Sequence, residues 1–296
     1  MPRHRPSPQA DLVAGASGFL GTQLVERLLR NPRARVLALS RRPRAARPRV
    51  APLAHDLARP LDGLALPERI GHVYQCASPP SSSTDLRALR AANVDGTLRL
   101  LDYAVRAGAR GFVYVSSGGV CRGAAGPIPE SAPLRPASAY LAAKAEAERA
   151  LARAEAPLPL AVVRLFFPYG PGQLQGLLPR LCRLLSRGEA VRLDPSGGPR
   201  LNPVHVRDAA RLIQAIARGG SGAALVNVAG GRTVSMAWLV RALARRLGVR
   251  PVQVRDPLRQ PSLVADLRRL RRYGRPRLGL EAGLTSFVRG WRPPRG

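Results

Sequence analysis

The sequence predicts an α/β fold in which a doubly wound parallel sheet is joined to a smaller C-terminal part. Short apolar runs alternate with longer helical patterns along the first half of the chain, which is the signature of strands and crossover helices. A glycine-rich turn connects the first strand to the first helix, and proline, glycine and arginine become denser after residue 166. The chain has 296 residues, 45% of them apolar, which is enough for one large core or for a core with a smaller partner.

The predicted elements follow in order along this pattern. A strand over 11–16 leads into the glycine turn, and apolar residues at helical spacing predict a helix over 19–30 that Asn31 and Pro32 end. Further strands are predicted over 35–40, 72–78, 111–117 and 160–166. Further helices are predicted over 93–108, 138–154, 176–187 and 235–247.

These elements suggest a domain division. We expect a main sheet domain over 10–165, with 201–228 returning to it. The segments 166–200 and 229–296 are expected to form the smaller, substrate-binding part, and 1–9 a disordered leader.

Composition excludes several classes of protein. The net charge is +30, but arginine is spread over the whole chain, aromatic residues are 4%, and no nucleic-acid-binding motif accompanies the charge, so a dedicated nucleic-acid partner is disfavoured. The cysteines Cys76, Cys121 and Cys182 are odd in number and widely spaced, which fits neither a disulfide framework nor a zinc site. The sequence has no uncharged apolar stretch of about 18 residues, so no membrane-spanning helix is expected. We expect a cytoplasmic protein with reduced thiols and no metal.

The glycine turn has the spacing of a phosphate-binding loop. In "GASGFLG", Gly15 allows the tight turn, Gly18 lets a pyrophosphate approach the backbone, and Gly21 permits close packing of helix on strand. The start of the following helix offers free N–H groups and a partial positive charge to an anion. The motif predicts dinucleotide binding; a glycine-rich turn without a ligand is the alternative.

The end of the second strand bears on which dinucleotide binds. NAD sites place an acid there, whereas this strand ends with Ser40, Arg41 and Arg42, which suit a 2′-phosphate. NADP(H) is therefore preferred, with NAD as the alternative, because general arginine enrichment would also explain the two guanidinium groups. Asp56, in "HDL", is placed to reach the adenine amino group or to cap a helix.

Only one of the 48 lysines and arginines in the sequence is a lysine. Lys144 follows Tyr140 by four residues on a predicted helix, so the two side chains share a face. A phenol is a poor proton donor and acceptor at neutral pH unless a nearby ammonium stabilises its phenolate. We therefore interpret the pair as a proton-transfer site; a solvated helix pair is the alternative. Ser117 ends the strand "GFVYVSS" at the sheet edge where active sites gather, and strand alternation separates it from Ser116.

Together the motifs resemble the NAD-dependent epimerase/dehydratase family of the extended short-chain dehydrogenase/reductase superfamily, whose cofactor domain is of the Rossmann type. The resemblance rests on "GASGFLG", "HDL", "NVDGT", "FVYVSSGGV", "YLAAK", "VVRLFFPYGPGQ", "NPVHVRD" and "VNVAGGRTVS" in this order. It implies that Tyr140 is the catalytic acid/base, that Lys144 binds the nicotinamide ribose and lowers the tyrosine pKa, and that Ser117 holds the reacting oxygen. Asn93 would be a relay or cofactor-side group, or a helix N-cap.

The motifs and the resemblance predict two sets of binding residues. The predicted cofactor-binding residues are Gly15, Ser17, Gly18, Phe19, Leu20, Gly21, Ser40, Arg41, Arg42, Asp56, Leu57, Cys76, Ala77, Ser78, Asn93, Tyr140, Lys144 and Phe167. The predicted substrate-binding residues are Ser78, Ser117, Gly118, Gly119, Phe167 and Arg200.

Departures from the family pattern narrow the chemistry. Nucleotide-sugar 4,6-dehydratases resemble this pattern but carry Asp-Glu where this chain has Gly118 and Gly119, so dehydration is disfavoured. Two usual contacts to the nucleotide-sugar diphosphate are altered, since Phe167 replaces an asparagine and Arg200 is displaced by one position, although Arg180 and Arg183 could supply charge.

The resulting expectation is an NAD(P)-dependent epimerase or oxidoreductase acting on a secondary alcohol or ketone of a sugar or nucleotide-sugar. The alternatives are an NADPH-dependent ketoreductase of a non-nucleotide small molecule and a non-catalytic cofactor sensor. The family resemblance also implies a homodimer that pairs through helices 93–107 and 138–154.

Overall fold

The computed structural model describes residues 9–80, 82–121, 126–219, 222–256 and 261–292. Of the predicted leader 1–9, all but the last residue lie outside the described residues. The strands are β1 Asp11–Ala14, β2 Val36–Ser40, β3 Val50–Ala54, β4 His72–Gln75, β5 Gly111–Ser117, β6 Leu160–Leu165, β7 Pro168–Tyr169, β8 Val191–Leu193, β9 Arg200–Leu201, β10 Val204–His205, β11 Ala223–Val228, β12 Val234–Ser235 and β13 Gln253–Arg255. The helices are α1 Phe19–Leu28, α2 Leu86–Arg90, α3 Gly96–Arg106, α4 Ala139–Ala152, α5 Leu177–Ser186, α6 Val206–Arg218, α7 Met236–Leu247 and α8 Leu280–Gly290.

The central sheet confirms the predicted α/β class. Its seven strands run in the order β11-β6-β5-β4-β1-β2-β3. The pairs β1–β2, β2–β3, β1–β4 and β4–β5 are parallel. The chain therefore builds outwards from β1 to β3 and then returns to the other side at β4. This reversal places the switch point of a doubly wound sheet between β1 and β4, where such folds bind ligands at the carboxyl ends of the strands.

The chain forms two compact units that are interleaved along the sequence. The first comprises the described residues of Met1–Ser116, Ser138–Val163 and Ile213–Leu225, and the second those of Ser117–Ala137, Arg164–Leu212 and Val226–Gly296. The predicted division, 10–165 with 201–228 and 166–200 with 229–296, concerns functional domains rather than compact units and stays a prediction.

The first unit has a core of aliphatic and aromatic side chains from its strands and helices. Leu12, Ile70, Val73, Phe112 and Tyr114 are fully buried within it. β3 lies at the sheet edge and is largely exposed, which explains how it accommodates Pro52, a residue that cannot donate to a ladder.

The helix predicted over 93–108 begins earlier than its sequence pattern suggested. α2 is capped by Asp85, whose carboxylate accepts from the Ala88 N–H at 3.0 Å, and it continues through a π-helical turn over Ala91–Asp95 into α3. The N-cap alternative for Asn93 is therefore wrong: Asn93 lies inside the π-helical turn. Such turns are frequent at functional sites because they re-aim side chains within a helix.

The second unit packs three helices with short paired strands. α5, α7 and α8 share a core in which Cys182, Leu239 and Phe287 are almost completely buried. Three two-stranded pairs accompany them: β10 with β7, β12 with β9, and β13 with β8. In the part of the chain that the structure describes, no helix is both long and apolar enough to cross a membrane.

Candidate functional site

The glycine turn has the geometry of an anion cradle. Gly15 has a φ of 79°, and a Cβ built there would lie 2.7 Å from the Ala77 backbone nitrogen, so only glycine fits. Gly18 is the N-cap of α1 and makes no side-chain cap, so the first N–H groups of that helix have no capping side chain. A Cβ at Gly21 would collide with the Gly15 carbonyl, which confirms the close packing of α1 on the turn.

A cavity of about 480 Å³ opens beside this turn, wholly within the first unit. It brings together most of the predicted cofactor residues from the ends of β1, β2 and β4. Its lining is Gly15, Ser17, Gly18, Leu39, Ser40, Arg41, Arg42, His55, Asp56, Leu57, Cys76, Ala77, Ser78, Pro79 and Ala92. Sequence reasoning missed Leu39, His55, Pro79 and Ala92, although each is adjacent in sequence to a residue that it predicted.

The end of β2 supplies a polar group that suits a ribose. The Ser40 hydroxyl is buried and has no hydrogen-bond partner among the described residues, although it lines the cavity. A buried unpaired hydroxyl costs about 1–3 kcal/mol unless a ligand or water satisfies it. Arg41 and Arg42 are exposed at the same rim. The glycine cradle, the helix start and this hydroxyl together fit a dinucleotide.

Asp56 lies in the lining but does not cap a helix. Its carboxylate accepts from the Ala58 N–H at 3.0 Å and closes a turn, and no helix follows. The N-cap alternative is therefore wrong for Asp56. Among the described lining residues, it is the one carboxylate.

Lys144 is buried, with 2% of its surface exposed, so the solvated-pair alternative is wrong for it. Its Nζ donates to the Val115 carbonyl at 2.9 Å and lies 4.7 Å from the centroid of the Tyr114 ring and 6.0 Å from that of Tyr140. Burial lowers the pKa of Lys144 from 10.5 to about 8, while Cys76 and Glu148 oppose this shift.

The pKa of Tyr140 differs from the sequence-based expectation. Burial raises it above its ordinary value of 10.0, and a hydrogen bond with Ser78 lowers it only in part. The resemblance implied a net lowering by Lys144. In this geometry the desolvation of the phenolate dominates, so the resting side chain is a neutral phenol.

Two neighbouring serines of β5 have different surroundings, as strand alternation predicts. The Ser116 hydroxyl donates to the Glu148 carboxylate at 2.5 Å, and both groups are buried. The Ser117 hydroxyl, in the second unit, accepts from the Gly119 N–H at 3.2 Å. Sequence reasoning missed Glu148; its signal was the position one helical turn after Lys144, on the same face of α4.

Ser78 joins the cavity to two other predicted residues. Its hydroxyl donates to the Asn93 side-chain oxygen at 2.8 Å, and Ser78 also lowers the pKa of Tyr140. Asn93 is completely buried and donates to the Leu89 carbonyl at 2.9 Å. The first unit therefore links Asn93 by a hydrogen bond to Ser78, a residue that lines the cavity.

Phe19 and Leu20 begin α1 in the first unit and do not belong to the lining of the cavity. The remaining predicted residues lie in the second unit. Gly118 is buried, and a Cβ there would lie 2.5 Å from the Phe166 ring, so the position is closed to larger residues. Phe167 has a φ of 43°, an uncommon conformation for a non-glycine residue that is often found at ligand sites. Arg200 is exposed on β9.

The second unit has a cavity of its own, of about 380 Å³. It lies between α5, β8 and the start of α7, and combines aliphatic walls with charged groups. Arg180 and Arg192 line it together with Asp194 and Asp256, whereas Arg183 and Arg200 do not belong to its lining. Arg192 was not predicted, because one arginine in so basic a chain carries no signal.

Comparisons with known proteins agree on one family. The model of the NAD dependent epimerase/dehydratase family matches residues 12–229. A dTDP-glucose 4,6-dehydratase of Streptomyces griseus is 34% identical over 256 residues, 80% of this chain and 78% of that protein. A UDP-glucose 4-epimerase of Mycolicibacterium smegmatis is 30% identical over 305 residues, 95% of this chain and 93% of that protein. The solved structure of MoeE5 in complex with UDP-glucuronic acid and NAD is 32% identical, with a TM-score of 0.80 over 95% of this chain and 98% of that one.

Proposed function

The chain belongs to the NAD dependent epimerase/dehydratase family, and from that premise we propose that it is an NAD(P)-dependent epimerase of a nucleotide-sugar. The proposal includes oxidation and re-reduction at one secondary carbon, with Tyr140 moving the hydroxyl proton. The observation that carries it is the buried Lys144 beside Tyr140, in the same unit as the dinucleotide cavity. Buried titratable groups with a strongly shifted pKa, such as Lys144, cluster at functional sites.

The cofactor residues have distinct tasks in this proposal. The N–H groups at the start of α1 and the glycine cradle would hold the pyrophosphate. Ser40 would hydrogen-bond the adenosine ribose, and Lys144 the nicotinamide ribose. When bound, the dinucleotide supplies the hydride acceptor and donor.

Tyr140 has to take a proton and give it back. As a neutral phenol, Tyr140 can donate its proton to the substrate oxygen. A positive charge that enters the site lowers the pKa of Tyr140, and the resulting phenolate can accept the hydroxyl proton of the substrate. Lys144, with its pKa of about 8, still carries most of its charge at neutral pH. Ser117 would donate to or accept from the reacting oxygen.

The choice of dinucleotide is a finer proposal. MoeE5 was solved with NAD, whereas the β2 end of this chain has no acid to exclude a 2′-phosphate and presents Arg41 and Arg42. We therefore propose that NADP binds at least as tightly as NAD. Dissociation constants measured by calorimetry test this directly, and a tenfold preference for NAD would overturn it.

A nucleotide-sugar substrate is proposed from the relatives and from the second cavity. Relatives are named for dTDP-glucose and UDP-glucose, and MoeE5 was solved with UDP-glucuronic acid. The aliphatic walls and the guanidinium groups of Arg180 and Arg192 suit a base with a diphosphate. Activity assays with several nucleotide-sugars identify which sugar is the substrate.

Dehydration is the second candidate, favoured by the Streptomyces griseus relative. Elimination of water needs an acid and a base beyond the tyrosine. Gly118 and Gly119 follow Ser117 and supply neither. Product analysis by NMR with UDP-glucose, UDP-glucuronic acid and dTDP-glucose separates the two: an epimer supports the proposal, and a 4-keto-6-deoxy sugar overturns it.

Tyr140→Phe is the decisive variant. It should lose at least about 100-fold in turnover while keeping its affinity for NAD and NADP, because the lost hydroxyl acts in proton transfer. Tyr103→Phe is the matched control, since that hydroxyl donates to the Pro67 carbonyl away from the cavity. Full activity of Tyr140→Phe would remove the mechanism. The homodimer stays a prediction that sedimentation equilibrium tests.

A further inference from the structure

Two side chains of β5, Tyr114 and Ser116, contact the charged groups of α4. Side chains alternate along a strand, so residues two apart lie on the same face of the sheet. The Ser116 hydroxyl donates to the Glu148 carboxylate at 2.5 Å, and the Nζ of Lys144 lies over the Tyr114 ring, 4.7 Å from its centroid. Lys144 and Glu148 are four apart and share a face of the helix. The strand therefore offers a hydroxyl to the carboxylate and an aromatic face to the cation.

The hydroxyl of Tyr114 does not explain why an aromatic residue occupies this position. The side chain is completely buried, and its hydroxyl has no hydrogen-bond partner among the described residues. An unpaired buried hydroxyl is unfavourable. Burial also raises the pKa of Tyr114 well above its ordinary value of 10.0, so the ring stays neutral. The feature of Tyr114 that remains is the ring face, whose π electrons attract a cation.

Lys144 needs such a partner because burial removes its ammonium from water. An ammonium has three N–H donors, and one of them donates to the Val115 carbonyl at 2.9 Å. Cys76 of β4 and Glu148 of α4 act on Lys144 electrostatically, and the Tyr140 ring centroid lies 6.0 Å from its Nζ. A contact between a cation and a ring face is stronger where water is excluded, as it is here.

We propose that Tyr114 is a positioning residue whose ring face keeps the Lys144 ammonium charged and in place beside Tyr140. The ring and the Val115 carbonyl engage two of the three N–H groups, which leaves the third for a ligand. The inference rests on the proposed function in one respect, namely that this cation serves the proton transfer. It goes beyond that function by assigning a task to a side chain outside the tyrosine–lysine motif.

The test is a direct titration of Lys144 in the full chain. Lys144 is the only lysine, so lysine labelled with ¹³C at Cε gives a single side-chain signal. Tyr114→Phe keeps the ring and should leave the midpoint unchanged, near the Lys144 pKa of about 8. Tyr114→Leu removes the ring and should lower the midpoint by about one pH unit, because the charged form loses its partner.

Fluorinated rings separate the effect of ring charge from that of packing. Phenylalanines that carry one, two or three ring fluorines are incorporated at position 114. The fluorines withdraw electrons from the ring face and change its shape little, so the Lys144 midpoint should fall with each fluorine added.

Tyr74→Leu is the matched control for the loss of a buried aromatic ring. Tyr74 lies on the neighbouring strand β4, is completely buried and also has a hydroxyl without a partner among the described residues. It does not belong to the rings that the Lys144 ammonium contacts, which are those of Tyr114 and Tyr140. Tyr74→Leu should therefore leave the Lys144 midpoint unchanged.

The outcomes are distinct. An unchanged or raised midpoint in folded Tyr114→Leu overturns the inference, and so does a midpoint that does not depend on the number of fluorines. An equal shift in Tyr74→Leu overturns it as well. If Tyr114→Leu does not fold, the fluorinated series alone decides. These titrations need no turnover, so the inference can fail while Tyr140→Phe still abolishes activity. Conversely, an active Tyr140→Phe removes the proposed mechanism and leaves the titration result standing.

Discussion

Replacement of Lys144 by methionine should stabilise the fold while abolishing turnover. The side chain is buried, and desolvation lowers its pKa from 10.5 to about 8. At about 1.4 kcal/mol per pKa unit, keeping this charge costs about 3 kcal/mol of folding free energy at pH 7. Loss of the hydrogen bond to the Val115 carbonyl offsets about 1 kcal/mol of that. Methionine, of similar length and without charge, should therefore raise the free energy of unfolding by about 2 kcal/mol.

The pH dependence identifies the cause. Because the pKa of Lys144 is lower in the folded chain than in the unfolded chain, the unfolded chain binds the extra proton between pH 8 and 10.5, and stability rises with pH in that window. The advantage of Lys144→Met should therefore shrink by about 1.4 kcal/mol per pH unit above pH 8. The buried Cys182 thiol, whose pKa burial raises to about 12, acts oppositely above pH 9, but it is present in both proteins and its contribution cancels. Cys76 differs, because Lys144 lowers the pKa of its thiol, so the substitution raises that pKa further, and the thiol opposes the effect of Lys144 only above pH 9.

Urea denaturation of both proteins from pH 7 to pH 10 measures this difference, with turnover assayed in parallel. An advantage that does not change with pH would show that packing, not charge, explains the stability. A variant less stable than the parent at pH 7 would refute the reasoning altogether.

Three further predictions concern the same unit. Gly15→Ala should abolish dinucleotide binding in calorimetry, because its Cβ would press on the backbone of Ala77. Glu148→Gln should move the alkaline limb of the turnover profile to lower pH, since the carboxylate raises the pKa of Lys144. Arg41→Asp should weaken NADP binding by at least about tenfold and leave NAD binding unchanged, as expected for a contact to the 2′-phosphate.

Each of these has a matched control in the chain. Gly63→Ala shares the positive φ, with open space around it, and should keep dinucleotide affinity. Glu146→Gln removes an exposed carboxylate of the same helix that pairs with Arg90, and its pH profile should match the parent. Arg44→Asp changes an exposed arginine outside the cavity lining and should not affect NADP. An equal effect of variant and control would contradict the corresponding prediction.

Sequence reasoning recovered what depends on local chemistry. Strand–helix alternation gave the parallel sheet, and the spacing of Gly15, Gly18 and Gly21 located the cavity, because both signals repeat at fixed intervals along the chain. The single lysine also indicated the buried cation, because a lysine is unusual in a chain whose other basic residues are arginines.

What it could not recover depends on burial and on distant partners. The raised pKa of Tyr140 follows from desolvation, which no motif reports. The π-helical turn that contains Asn93 differs from an α-helix by only about one residue per turn. The spacing of apolar residues in the sequence cannot distinguish the two. Glu148 could not be distinguished from the other glutamates by sequence, because what sets it apart is its contact with Ser116 on β5.

The interleaving of the two units has a consequence for how the chain must fold. The first unit is completed only by the segment Ile213–Leu225, which follows the segments Ser117–Ala137 and Arg164–Leu212 of the second unit in sequence. During synthesis from the N-terminus, β6 cannot pair with its neighbour β11 until more than three quarters of the chain has been made. Such distant pairing slows folding and leaves a strand edge exposed meanwhile. The cofactor cavity, drawn from residues 15–92 alone, does not share this delay. The residues of its lining all precede β5 in the sequence, so they are synthesised well before β11.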